Sequence, residues 1–315
     1  MSWYQGFEPF VSENVPLAKM TTYRVGGPAE YFAQPPNARA LGELLWRAAE
    51  ENVPVRFLGH GTNLLVADRG VKGLVIKLPK SGFGFLRRSG DSIHVGAGHS
   101  LPGLVKWSVS QGLQGLECLQ GVPGTVGAAL RMNAGGKHGE ICTSVRRVKG
   151  FERDGRPFDF SARECGFTYR NSHLHGRIVT ECELELTSGD RRNSEEMMLR
   201  ILNEKCASQP VDARSAGCVF KNPKLPGIAP AGRLIDELGM KGMSIGGAKV
   251  STVHANFLVC EGAASADELV QLIRLIRQRV LESRGVQLEL EVEVWGMDSE
   301  ELLPRGRVSA ALKTA

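Results

Sequence analysis

Apolar residues fall at helical spacing in some stretches of the chain and alternate with polar ones in others. Leu41, Leu44, Leu45 and Ala48 share one face of a helix predicted over 37–51, behind Asn37 as cap. A second helix is predicted over 100–111, with Ser100 as cap and Gly112 as stop. The clearest helix follows Ser265, where Glu268 completes a capping box and Leu269, Leu272, Ile273, Ile276 and Val280 form a buried stripe. Helices are also predicted over 194–206 and 231–238. β-Branched or alternating character predicts strands over 55–58, 74–78, 92–96, 144–152, 178–186 and 287–295. The polar run 187–193 and the break Ser208-Gln-Pro210 interrupt this pattern, and the second is the best domain boundary. From Asp298 the chain turns charged and then small and polar, which reads as a loosely held tail.

A chain of 315 residues, 42% apolar and 23% charged, has enough core for an ordinary globular protein of about two domains. Disorder, collagen and a disulfide-stapled miniprotein are excluded. The 38 glycines come in short clusters, the pattern of tight turns near ligands. The net charge of +5 is scattered in pairs and triplets such as Arg87-Arg88, Arg146-Arg147 and Arg274, Arg277, Arg279. That favours a solvated surface over a nucleic-acid partner, and fits an enzyme with an anionic small-molecule substrate equally well. Seven cysteines without a CxxC spacing read as reduced thiols. No leader pattern and no membrane-spanning run is legible, so the expectation is a soluble, cytoplasmic protein; a monomer is a separate expectation that the sequence itself does not fix.

Five constellations carry candidate chemistry. Leu58-Gly-His-Gly-Thr-Asn-Leu-Leu65 is a strand ending in a glycine turn, where backbone N–H groups approach a phosphate without Cβ interference; a plain tight turn is the alternative. Gly121-Val-Pro-Gly-Thr-Val-Gly127 continues through Ala128 and Ala129 to Asn133-Ala-Gly-Gly136. There Thr125 caps a short helix whose free N–H groups face an anion, and the small residues admit a flat ligand. Two such clusters suggest a dinucleotide pyrophosphate; a packed glycine crossing is the alternative. In Ser215-Ala-Gly-Cys-Val-Phe-Lys-Asn-Pro223 the thiol is a nucleophile, a proton donor or a plain buried cysteine. Arg170, in Phe167-Thr-Tyr-Arg-Asn-Ser172, suits a carboxylate or phosphate, or a structural ion pair. Glu289, Glu291 and Glu293 share one face of a predicted strand, most plainly a solvent face. His173, His175 and His254 have no metal-ligand spacing, and no GxSxG elbow is present.

In their joint order these pieces resemble one family, UDP-N-acetylenolpyruvoylglucosamine reductase (UDP-N-acetylmuramate dehydrogenase), from about Val15 to Gly296. Further matching stretches are Thr21-Thr-Tyr-Arg-Val-Gly-Gly27, Gly115-Leu-Glu117, Met132-Asn-Ala-Gly135, Ala231-Gly-Arg-Leu-Ile235, Val250-Ser251 with His254-Ala-Asn-Phe257, and Leu288-Glu-Leu-Glu-Val292. The resemblance implies an α+β fold: a two-part FAD-binding region of the vanillyl-alcohol-oxidase (PCMH) type, then a C-terminal α+β substrate domain. The short span between Arg170 and Ser215 is that of the form without an extra tyrosine loop. The implied division is 1–80 and 81–207 for the FAD-binding parts, 208–297 for the substrate domain and 298–315 for the tail. Non-covalent FAD would lie against Arg24, Gly26, Gly59, His60, Gly61, Thr62, Asn63, Gly121, Gly124, Thr125, Gly127, Asn133, Ala134 and Gly135. Tyr169, Lys221 and Asn222 would contact substrate.

The implied reaction has two halves. NADPH reduces FAD; then UDP-N-acetylglucosamine enolpyruvate takes hydride at its methylene carbon and a proton at the adjacent carbon. By the resemblance Arg170 and Glu291 stabilise the enolate, and a serine donates the proton. Here that serine is Cys218, and the thiol, with a pKa of about 8.5 when free, is expected to take its role. Arg214, Ala128 and Cys260 stand where proline, glycine and asparagine are common in the family. The competing readings are an FAD oxidase of the wider fold class and a non-catalytic nucleotide-binding homologue.

Overall fold

The capped periodic stretches fold as helices in the computed structural model, which describes residues 2–303; the remainder of the expected tail, 304–315, lies outside the described residues. Asn37 accepts the Ala40 N–H ahead of the helix Ala38–Glu50, and Ser100 accepts that of Gly103 ahead of Leu101–Ser110. The helix Ala266–Arg284 carries the full Ser265/Glu268 capping box and ends on Gly285 in the left-handed conformation.

The chain forms two compact units. The first comprises the residues up to Pro16, Pro28–Thr62 and Lys72–Ala207. It holds a four-stranded sheet in the order Val11–Pro16, Pro28–Ala33, Val71–Ile76, Val55–Phe57. It also holds a five-stranded antiparallel sheet in the order Pro157–Ser161, Val145–Phe151, Ile178–Glu185, Ser92–Gly96, Leu86–Ser89. Leu41, Leu44 and Leu45 enter one core with Leu74 and Ile76 of the first sheet and Ile93, Val148 and Leu184 of the second. Each such buried side chain contributes roughly 1.5–3 kcal/mol.

The second unit comprises Leu17–Gly27, Asn63–Val71 and the chain from Ser208 onward. Its core is the stripe Leu269, Leu272, Ile273, Ile276 and Val280 packed with Ala248, Val250, Leu258, Leu234 and Ile235. The break at Ser208 thus separates the units, whereas 17–27 and 63–71, read in the sequence as part of the first FAD-binding region, cluster with the C-terminal residues. Close backbone approach is the reason. A Cβ on Gly26, at φ +106°, would lie 2.5 Å from the Val66 carbonyl oxygen. The Gly27 N–H donates to Ala67 O at 2.8 Å. Leu64–Val66 pairs in parallel with Glu293–Trp295. The Asp68 carboxylate accepts the Ala266 and Asp267 N–H groups at 3.0 Å each, adding a distant cap to the long helix.

Four expectations need correction. The helix expected over 194–206 runs Arg191–Ser208: its polar first turn, read as a break, is stabilised by Asp190 Oδ1 accepting the Arg192 N–H and by the pairs Arg191–Glu195 and Arg192–Glu196. The strand expected over 74–78 is Val71–Ile76. Of 287–295 only Glu293–Trp295 is strand, because the segment changes partner: Leu290 bridges Phe220, then Glu293 onward pairs with Leu64–Val66. The residues 298–303 are tied down. Asp298 and Glu301 form a capping box, Glu301 pairs with Arg69, and Arg277 donates to Leu302 O at 2.7 Å.

Ser265→Ala should lower the urea midpoint by the equivalent of about 1 kcal/mol. An unchanged midpoint would show that Asp68 suffices as the cap.

Candidate active site

The two glycine-rich stretches meet within the first unit. A Cβ on Gly59 would lie 3.1 Å from Thr125 Oγ1 and 3.2 Å from Ala128 Cβ, and one on Gly124 would lie 3.4 Å from Thr62 Oγ1. Ala128, in the place of a common family glycine, is therefore accommodated by the bareness of Gly59. Thr125 accepts the Ala128 N–H at 3.3 Å and caps Val126–Arg131. The expectation that this short helix presents free N–H groups to an anion fails, because Val126 and Gly127 donate to His99 O and Ala97 O at 3.0 and 2.9 Å. Gly127 instead lets the helix approach Ala97, whose Cβ would sit 2.8 Å from an added one. The unspent donors are in the other loop: among the described residues the amides of Gly59, His60 and Thr62 donate to nothing. Partial burial and then the Lys77 ammonium hold the His60 ring below the usual histidine range. Gly121 turns with φ +73° beside Lys205, whose ammonium donates to Gln120 O at 2.5 Å.

Asn133 is fully buried, and its side chain is spent on the protein. It donates to Glu140 Oε2 at 2.7 Å and Thr168 O at 3.1 Å, and accepts from the Cys142 N–H at 3.3 Å. It thus anchors the tight turn in which Thr168 and Asn171 bond each other's backbone and Tyr169 and Arg170 stand at the tip. Arg170 holds φ +56°, donates to Gly135 O at 2.8 Å and lies over the Tyr169 ring at 5.5 Å. Ala134 gives its carbonyl to the Ile141 N–H at 2.9 Å. Ser172 Oγ donates to Arg131 O at 2.7 Å, fixing the turn's far side. These predicted cofactor residues Asn133 and Gly135 therefore position the Arg170 turn.

In the second unit, Cys218 is half-buried and bridges Phe257. Asn256, 3% exposed, clamps the following residues. Its carbonyl oxygens accept from Val219 and Phe220 N–H at 2.8 and 2.9 Å, and Nδ2 donates to Phe220 O at 2.8 Å. The Val219 carbonyl accepts the Glu291 N–H at 2.8 Å. Asn63 Nδ2 donates to Glu291 O at 3.0 Å, so both backbone polar groups of Glu291 are held. Glu291 is thereby joined by hydrogen bonds to Asn63 and to Val219, the residue after Cys218. Tyr23 is buried near the Cys218 and Cys260 thiols, and its hydroxyl is pushed above the usual range by burial first and those thiols second.

The other predicted residues take more local positions. Glu289 is exposed and pairs with Lys221 at 3.5 Å; Glu293 accepts from Trp295 Nε1 at 2.9 Å. Of the three glutamates Glu289 is exposed, whereas Glu291 and Glu293 are partly buried. Asn222 Oδ1 accepts the Ala231 N–H at 3.1 Å and caps the helix Ala231–Glu237, which has no local side-chain cap. Arg24 is exposed, at φ +59°. Arg214 donates to Cys260 O and Gly262 O at 3.2 and 2.8 Å, a tie that proline could not make. Sequence reasoning gave no role to Asn256 or Glu117. The buried Glu117 accepts from Gly115 N–H at 2.7 Å and Ser194 Oγ at 2.6 Å; a carboxylate in an apolar stretch was the signal.

Residues 29–161 match the model of an FAD binding domain, and 209–295 match that of the UDP-N-acetylenolpyruvoylglucosamine reductase C-terminal domain. The unspent amides beside a lysine fit the diphosphate of FAD, and the fold is that of a vanillyl-alcohol-oxidase-type flavoprotein with an added C-terminal α+β domain. A reductase of that name from Heliobacterium modesticaldum is 42% identical over 89% of this chain and 89% of its own. One from Symbiobacterium thermophilum is 42% identical, over 89% and 91%. The crystal structure of the Thermus caldophilus enzyme is also 42% identical, covering 91% of this chain and 100% of that one with a TM-score of 0.79. The chain belongs to the UDP-N-acetylenolpyruvoylglucosamine reductase family, whose members are FAD- and NADPH-dependent oxidoreductases of peptidoglycan precursor synthesis. No helix among the described residues is long and apolar enough to cross a membrane.

Asn256→Ala strands the Phe220 N–H and carbonyl and should cost about 2–4 kcal/mol, read as a lowered urea midpoint. A loss under about 0.5 kcal/mol would mean that the clamp is dispensable.

Proposed function

We propose that the protein reduces UDP-N-acetylglucosamine enolpyruvate to UDP-N-acetylmuramate in the cytoplasm, with Arg170, Glu291 and Cys218 as its catalytic residues. Bound FAD, reduced by NADPH, supplies the hydride to the enolpyruvyl methylene. Electron density then gathers on the neighbouring carbon and its carboxylate. Arg170 meets that charge with a guanidinium whose backbone is set by the Thr168–Asn171 turn and whose head is steadied by Gly135 O. Glu291, held at both its N–H and its carbonyl, keeps a carboxyl group against the enolate, protonated or hydrogen-bonded.

The Cys218 thiol then gives its proton to the carbon, completing the lactyl ether, and the thiolate is reprotonated from solvent. A thiol is a far stronger acid than the family's serine hydroxyl and so gives up a proton to carbon more readily. The single observation that supports this assignment is the Val219 carbonyl, which takes the Glu291 N–H one residue after Cys218. Lys221 and Tyr169 remain candidate substrate contacts. Asn222 acts by capping the helix Ala231–Glu237.

NADPH oxidation at 340 nm should depend on the enolpyruvate. Cys218→Ser should keep turnover, and Cys218→Ala should lose roughly 10²–10⁴-fold in kcat. Wild-type turnover in the alanine variant would exclude the thiol as donor. Asn63→Ala should slow the substrate half-reaction about ten-fold in stopped flow, since it removes one hydrogen bond from Glu291, and leave flavin reduction by NADPH within about two-fold. Equal slowing of both halves would assign Asn63 to the cofactor alone.

A further inference from the structure

Lys77 follows the last residue of the strand Val71–Ile76, inside an otherwise apolar run from Leu74 to Leu78. Its neighbours in that run are buried: Val75 and Ile76 are 0% exposed and Leu78 is 6% exposed. Lys77 is itself half-buried, and among the described residues no carboxylate pairs with it. Burial pulls its ammonium below the usual lysine range, with no opposing charge to restore it. A half-buried cation without a counter-ion costs stability, so its retention calls for an anion brought from outside the chain.

The neighbouring backbone points to which anion. Phe57 pairs with Ile76 in parallel register, and the Leu58 N–H donates to Ile76 O at 2.8 Å. Lys77 therefore stands beside the point where Leu58 leads into the turn. That turn holds the unspent amides of Gly59, His60 and Thr62. The Lys77 charge also lowers the His60 ring, second to burial, in keeping with an ammonium near that turn. Three N–H donors and one ammonium converge on a small anion of high charge, and a diphosphate is such an anion.

We infer that Lys77 is the counter-ion of the FAD diphosphate at the Gly59–Thr62 turn. The backbone donors supply direction and Lys77 supplies charge. A group that holds the diphosphate grips oxidised and reduced FAD equally, so it sets affinity without setting the flavin potential.

The test uses the full chain, stripped of and reloaded with FAD. Lys77→Met should raise the FAD Kd roughly ten- to hundred-fold, the size expected for a lost charge-assisted hydrogen bond. Lys77→Arg should stay within about three-fold of wild type, because the charge is kept. The midpoint potential of bound FAD should be the same in all three proteins. In the wild-type protein, FAD should also protect Lys77 from an amine-acylating reagent, a readout that needs no variant to fold. An unchanged Kd in Lys77→Met, an equal loss in Lys77→Arg, absence of protection, or a shifted potential with unchanged affinity would each overturn the assignment. The last would place the ammonium at the flavin ring.

Discussion

A single buried side-chain amide organises the C-terminal unit. Asn256 satisfies the N–H and carbonyl of Phe220 and lends its own carbonyl to Val219, in a place where neither helix nor sheet is available to do so. Buried backbone groups without partners cost as much as lost hydrogen bonds. With Asn256 in place the chain from Cys218 to Lys221 can remain extended without regular strand partners. It then offers the Val219 carbonyl to Glu291 and the Lys221 N–H to Glu289. The position of the candidate acid groups thus depends on an amide far from either of them in sequence.

The FAD-binding unit shows the opposite use of the same rule. Both polar atoms of the Asn133 side chain have protein partners, and the result is a fixed turn carrying Arg170 in a left-handed conformation that arginine rarely adopts. At the turn after Leu58 the amides of Gly59, His60 and Thr62 are left open, as a site for an anion requires. Satisfied groups build the scaffold and unsatisfied ones mark where a ligand belongs. The glycines serve both purposes: Gly59 admits Thr125 and Ala128, while Gly26 and Gly127 bring backbones together for packing.

In the proposed reaction Cys218 takes the place of a serine, an exchange that changes chemistry more than shape. A thiol donates a weaker hydrogen bond but a more available proton than a hydroxyl. In that role it would also open the site to oxidants and alkylating reagents that a serine would ignore. The surrounding departures are accommodated locally. Arg214 ties Cys260 and Gly262 through their carbonyls, and the Cys260 thiol, pushed up to about 11 by burial, stays protonated.

Much of this molecule was legible from local pattern. Caps, stops and stripes located the helices at Asn37, Ser100 and Ser265, because a helix is specified by residues within a few positions of one another. The motif residues singled out the stretches that carry the chemistry, and their family resemblance named the reaction. The sequence alone could not assign individual duties within those stretches. Asn133 and Asn222 stand in motifs that suggest ligand contacts, and the fold gives each a structural duty that the motif does not show: one anchors a turn and the other caps a helix. Glu289, Glu291 and Glu293 alternate as a strand would, but the segment changes partners midway. Lys77 reads as a stray charge in a buried run until the Gly59 turn is placed beside it. Which groups are spent and which stay open depends on partners distant in sequence, so only the tertiary structure decides it.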